Sequence, residues 1–126
     1  MPKINLLIVD DEIEFATTLA ERMELRGIIA RTANNGKEAL EMVHSSPPDL
    51  VILDLKMPDM SGLEVLQGIK AMHPDIEVIM LTGHGSTASG IEGMENGAFD
   101  YIMKPVDLTE LLEKIHLAYD KGHGNV

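Results

Sequence analysis

The residues able to do chemistry in this chain sit directly after short apolar runs. "INLLIV" (4–9) is followed by Asp10, Asp11 and Glu12, "LVIL" (50–53) by Asp54, "EVIML" (77–81) by Thr82, and "FDYIM" (99–103) by Lys104 and Pro105. If those run ends share one edge of a sheet, Asp10, Asp11 and Asp54 become neighbours. Two unit charges about 4 Å apart repel by about 4 kcal/mol at an effective dielectric near 20. Such a set asks for a cation. An all-oxygen site with several carboxylates and open positions suits Mg²⁺, which keeps waters and commonly shares a phosphate oxygen with its protein ligands. Lys104 adds a fixed positive charge that pairs with carboxylate or phosphate, and Thr82 adds a hydroxyl. Blander roles compete. Asp10, Asp11 and Glu12 also suit the first turn of a helix, where acids meet the positive end of the dipole, and Thr82 beside Gly83 and Gly85 suits a simple turn.

The elements that must position these groups follow from the apolar pattern. With "IIARTA" (28–33) the runs number five, each a strand candidate. Helical patterns lie between them. Ile13, Ala16, Leu19, Ala20 and Met23 share one face of the first, and Gly27 follows as a C-terminal cap. The last carries Leu108, Leu111, Leu112, Ile115 and Ala118 toward a core. "NNG" (34–36), "SSPPD" (45–49) and "HPD" (73–75) punctuate the alternation. Strand and helix alternating without a long linker predicts an α/β domain, a parallel sheet with helices on both faces. Ligands of such sheets bind beyond the carboxyl ends of the strands. The fourth helical stretch, "STASGIEGMENGA" (86–98), contains Gly90 and Gly93; each costs about 1 kcal/mol against alanine in a helix interior, so this helix is expected to be the softest.

Composition excludes several classes. A chain of 126 residues, 44% hydrophobic and 25% charged, reads as one domain over 1–121 with a short tail at 122–126. Without cysteine there is no disulfide framework and no thiolate ligand or nucleophile, which fits a cytoplasmic location. The opening apolar run is too short for a signal peptide or a bilayer span, so no membrane insertion is expected. A net charge of −11 repels nucleic acid and anionic membrane surfaces; any DNA contact would belong to another domain. His44, His73, His116 and His123 lack metal-ligand spacing and read as surface residues. Met57, Met60, Met80 and Met103 read as core and loop packing.

Taken in order, "VDDE" (9–12), "ILDLKMPDMSG" (52–62), "LTGHG" (81–85) and "DYIMKP" (100–105) resemble the receiver domain of two-component response regulators, across residues 3–121. The resemblance implies a flavodoxin-like, doubly wound five-stranded parallel sheet in the order 2-1-3-4-5. It implies that Asp54 accepts a phosphoryl group from a histidine kinase or phosphotransfer protein. Asp11 and Asp54 would bind Mg²⁺ directly, Asp10 through water, and Lys56 by its backbone carbonyl. Lys104 and Thr82 would hold the phosphoryl oxygens, the family's chemistry being positioning and charge neutralisation. A receiver is not a conventional enzyme but catalyses its own phosphorylation and dephosphorylation, with side chains 56 and 84, here Lys56 and His84, tuning the lifetime. Thr82 and Tyr101 would form a switch that alters the face made by the fourth helix, fifth strand and fifth helix, which controls an output domain or effector protein and supports a homodimer on phosphorylation. A cis Lys104–Pro105 bond is also implied.

Three competitors remain. A flavin electron carrier needs hydroxyls and amides in its first loop, where this chain has "DDEIE" (10–14). A phosphatase with an aspartate nucleophile wants a second acid at position 56, which is lysine. A pseudo-receiver would keep the fold as a phosphorylation-independent interaction module, against which the intact set Asp10, Asp11, Asp54, Thr82 and Lys104 argues.

Overall fold

The computed structural model describes residues 3–83 and 87–122. Five strands alternate with five helices: β1 (Asn5–Val9), α1 (Ile13–Glu24), β2 (Ile29–Ala33), α2 (Gly36–Ser45), β3 (Leu50–Asp54), α3 (Gly62–Met72), β4 (Glu77–Thr82), α4 (Thr87–Glu95), β5 (Asp100–Met103) and α5 (Leu108–Gly122). The strands form one sheet in the order β2-β1-β3-β4-β5, with every neighbouring pair parallel. This is the predicted architecture. β3 and β4 are buried along their whole length, as is β1 beyond Asn5. Covered on both faces, these strands read as continuous apolar runs rather than alternating ones. Strand limits differ from the apolar runs by one residue: Ile4, Ile28 and Phe99 stand just outside, whereas Asp54 and Thr82 belong to their strands.

Two cores flank the sheet. Leu6, Ile8, Ile52 and Leu81 pack under Ala16, Leu19 and Met23 of α1 and Leu111, Ile115 and Ala118 of α5. Leu7, Val9, Leu53 and Met80 pack under Ala39 and Val43 of α2 and Val65, Leu66 and Ile69 of α3. Ile13, expected on the inner face of α1, is 61% exposed. It heads the helix, and Phe15 takes the packed position near that end instead. Of the methionines, Met80 is buried and Met57 and Met60 pack partly, whereas Met103 is 43% exposed on edge strand β5.

Gly27 closes α1 as expected. At φ +78° its N–H donates to the Glu24 carbonyl (3.0 Å) while Ile28 N–H reaches Met23 (3.1 Å), a Schellman closure. Gly97, at φ +99°, ends α4 in the same way through Met94 and Gly93. The helical glycines of α4 have a packing role that local propensity hides. A Cβ at Gly93 would lie 1.9 Å from Met80 Cε, and one at Gly90 3.1 Å from the Tyr101 ring. The bare backbone lets α4 lie close on β4 and β5. At the other end, α5 runs to Gly122, one residue past the expected domain limit. Lys121 is held there by Glu77 at 3.4 Å and by the Phe99 ring at 5.5 Å.

Candidate functional site

Parallel pairing in register aligns Val9 with Leu53, so the next residues, Asp10 and Asp54, leave the carboxyl edge side by side. Thr82 pairs with Met103 on the far strand, and Lys104 N–H donates to the Thr82 carbonyl (2.9 Å). From there the Lys104 side chain reaches back over the edge. Its Nζ lies 3.0 Å from Asp10 Oδ2, 3.1 Å from Glu12 Oε1 and 3.7 Å from Asp54 Oδ2. The Phe15 ring sits 4.7 Å from the same ammonium, a cation–π contact from the first turns of α1. The Lys104–Pro105 bond is cis.

Asp10 is fully buried and Asp54 is 6% exposed. Their oxygens and one of Glu12 lie within 4.8 Å of one another. Burial first, and then the charge of Asp10, pushes the Asp54 carboxyl up from 3.8 to about 6, against the opposing pull of Lys104 and of the Lys56 N–H. Burial alone would lower Lys104; its hydrogen bonds to Asp10 and Glu12 outweigh that and hold the ammonium above 10.5. Three carboxylates against one ammonium leave about two negative charges uncompensated, in an all-oxygen setting. That donor set suits a hard divalent cation, so the acidic cluster can hold a metal.

The third acid of the cluster is Glu12, where the spacing predicts Asp11. Asp10 Oδ1 accepts from the Glu12 N–H (2.9 Å), which turns the chain so that Glu12 faces Lys104. Asp11 is left exposed. It borders a cleft of about 510 Å³ with Leu55, Lys56, Met57 and Ser61, and so stands over the loop that carries the Lys56 carbonyl. The Lys56 side chain is exposed and its N–H donates to Asp54 Oδ1 (3.3 Å). Thr82 is buried, its hydroxyl 3.5 Å from the Ile102 carbonyl. Tyr101 is half-buried with its ring against Gly90. His84 lies outside the described residues. Sequence reading missed Glu12 and Phe15 as partners of Lys104.

The loop after Asp54 is closed tightly. Gly62 N–H donates to the Leu55 carbonyl (3.1 Å), and a Cβ on Gly62 would stand 2.5 Å from Leu55 Cα. Backbone cannot yield as a side chain can. Gly62→Ala is therefore expected to destabilise by about 1–3 kcal/mol, lowering the melting temperature by roughly 4–12 °C. An unchanged thermal transition would refute the close approach.

No described helix is long and apolar enough to cross a membrane. The family model for the response regulator receiver domain matches residues 6–116. Among solved structures, the CheY-like response regulator receiver domain protein from Methanospirillum hungatei JF-1 superposes with a TM-score of 0.92 at 31% identity, covering 99% of this chain and 100% of that one. A response regulator receiver domain protein from Clostridium thermocellum does so with a TM-score of 0.90 at 34% identity, covering 96% and 98%. The transcriptional regulatory protein ZraR of Escherichia coli (strain K12) is 36% identical over 120 residues, 95% of this chain and 27% of ZraR. The acid tolerance regulatory protein ActR of Rhizobium meliloti (strain 1021) is 37% identical over 111 residues, 88% of this chain and 57% of ActR. The chain thus spans between about a quarter and a little over half the length of these two regulators. Acids and lysine converge on one sheet edge, and the family model runs over nearly the whole chain: the protein belongs to the response regulator receiver domains of two-component signalling.

Proposed function

We propose that Asp54 is the phosphoacceptor, receiving its phosphoryl group from the phosphohistidine of a sensor histidine kinase or a phosphotransfer protein. One observation carries the reading: Asp54, nearly buried at a strand end, is the acid pushed up to about 6 with an ammonium 3.7 Å away. A carboxylate held short of compensating charge is primed to accept a cation and an electrophile together. An Asp54 oxygen attacks phosphorus, the phosphorus–nitrogen bond to the donor imidazole breaks, and the electron pair leaves with the imidazole, which takes up a proton. Asp11 and Asp54 through their carboxylates, Asp10 through a water, and Lys56 through its backbone carbonyl would hold Mg²⁺. The ion supplies neutralisation of charge on the phosphoryl oxygens. Lys104 then turns from the carboxylates to one phosphoryl oxygen, and the Thr82 hydroxyl leaves Ile102 for another. Water attacking the same phosphorus reverses the modification, with the side chains at 56 and 84, Lys56 and His84, setting its rate.

Tyr101 and Thr82 couple the site to output. Movement of Thr82 opens space beside Tyr101, whose ring rests on the Gly90 backbone, and the α4-β5-α5 face changes with it. A population shift of this kind needs only a few kcal/mol of differential interaction. The changed face would engage an output domain or effector and support a homodimer. Nucleic acid is left to another domain, given the net charge of −11. The partnership with a kinase sets the domain in the cytoplasm.

Intact mass after incubation with acetyl phosphate tests the reading. A single phosphoryl adduct is expected with Mg²⁺, absent with EDTA, and located on the peptide that contains Asp54. An adduct elsewhere, or one indifferent to EDTA, would overturn it. So would failure to form either an adduct or a beryllofluoride complex.

A further inference from the structure

The turn between β2 and the start of α2 carries none of the chemistry above, yet it touches both acid-bearing loops. Asn34 Nδ2 donates to the backbone carbonyl of Asp10 (3.1 Å). Two residues on, Gly36 N–H donates to Asp59 Oδ1 (2.9 Å) and Lys37 N–H to Asp59 Oδ2 (3.0 Å). Asp59 thus takes the first two free amides of the helix with both its oxygens. Those amides hold its carboxyl below the ordinary value, although Asp59 is exposed. The turn is itself stiff: Asn35 Oδ1 accepts from Glu38 N–H (2.8 Å), and Glu38 Oε1 accepts from Asn34 N–H (2.8 Å). A Cβ on Gly36 would lie 2.2 Å from Met60 Cγ, so the loop after Asp54 is pressed onto the helix start with no space between. That loop is fixed at its far end by the Ser61–Glu64 capping box.

We propose that Asn34 and Asp59 are positioning residues for the divalent-cation site: the start of α2 is a brace that sets the distance between the Asp10 loop and the Lys56 loop. The inference rests on the proposed Mg²⁺ site. Neither side chain touches the cation. Each acts through the loop it ties, as outer partners do around a metal, where their loss costs about 10-fold or more in affinity.

The test is Mg²⁺ titration of the full chain followed by backbone amide shifts, comparing wild type with Asn34→Ala, Asp59→Ala and Asp59→Glu. Each alanine variant is expected to raise the Mg²⁺ dissociation constant about 10-fold. The acetyl phosphate labelling rate at saturating Mg²⁺ should stay within about 2-fold of wild type, because the reacting groups are untouched. Asp59→Glu, which can still reach the two amides, should restore most of the affinity. A role confined to stability would lower the melting temperature and leave the dissociation constant unchanged; that result overturns the brace while the metal site stands. Wild type showing no Mg²⁺-dependent shift at Asp10, Lys56 or their neighbours would overturn the metal site and the brace together.

Discussion

An Asp54→Asn chain is expected to take no phosphoryl group and, free of metal, to be more stable than its parent at neutral pH. The first half follows from chemistry, since a carboxamide supplies no anionic oxygen for attack on phosphorus. The second follows from the site's charge. Asp54 rises from 3.8 to about 6 on folding, chiefly by burial and then by repulsion from Asp10. An acid whose folded value is raised costs the folded state nothing below its unfolded value; the cost grows between 3.8 and about 6 and is complete above that. The interval corresponds to about 3 kcal/mol at most, and solvent screening reduces it to roughly 1–2 kcal/mol. Thermal denaturation in EDTA should therefore favour the variant by roughly 4–8 °C at pH 7 and by nothing at pH 4. Mg²⁺ should close or invert the gap, because a cation that binds only the folded parent stabilises it by mass action. A variant no more stable than wild type at pH 7 would mean that Lys104 alone balances the cluster.

The sheet was legible because its signal is local and repeated. In β1, β3 and β4 a continuous apolar run stops at a polar residue, and parallel topology brings those stops to one edge, so the adjacency of Asp10 and Asp54 follows from strand order. What stayed hidden depends on how the chain turns after leaving the sheet. Whether Asp11 or Glu12 faces the cluster is decided by one hydrogen bond, from Glu12 N–H to Asp10 Oδ1. Phe15 meets Lys104 only because the lysine side chain reaches back from the end of β5 over the sheet edge toward the first turn of α1, a contact 89 positions apart in the chain. Asp59 looks like an ordinary turn acid until the start of α2 arrives beside it. Gly90 and Gly93 mislead in a different way: propensity marks them as weak points, whereas Tyr101 and Met80 occupy the space where a side chain would stand.

Lys104→Ala should make the fold dependent on metal. The Lys104 ammonium contacts Asp10, Glu12 and Asp54, and Asp10 has no exposed surface through which water can replace it. Breaking a buried pair by removing one partner costs about 3–5 kcal/mol. Since Lys104 itself is partly solvated, roughly 2–3 kcal/mol is the better expectation, or about 8–12 °C in melting temperature at pH 7 in EDTA. Lys104 is held above 10.5, so its contribution is fully present below that value and is lost only as pH rises through the folded value. Between pH 5 and pH 9 the pH dependence of the loss should follow Asp54, whose carboxyl is pushed up to about 6, and the loss should shrink toward pH 4 as that group takes up its proton. Adding Mg²⁺ should restore more stability to the variant than it gives wild type, because ion and ammonium compete for the same oxygens. Phosphoryl labelling should still fall by about 100-fold with Mg²⁺ saturating, the scale for losing one group that stabilises charge in the transition state. Lys104→Arg separates the roles: a guanidinium keeps the charge and most of the stability, but its planar fork does not reproduce a compact ammonium aimed at one oxygen. Equal Mg²⁺-induced stabilisation in Lys104→Ala and wild type would show that lysine and metal do not share the cluster. Near-normal labelling would remove Lys104 from the transfer step.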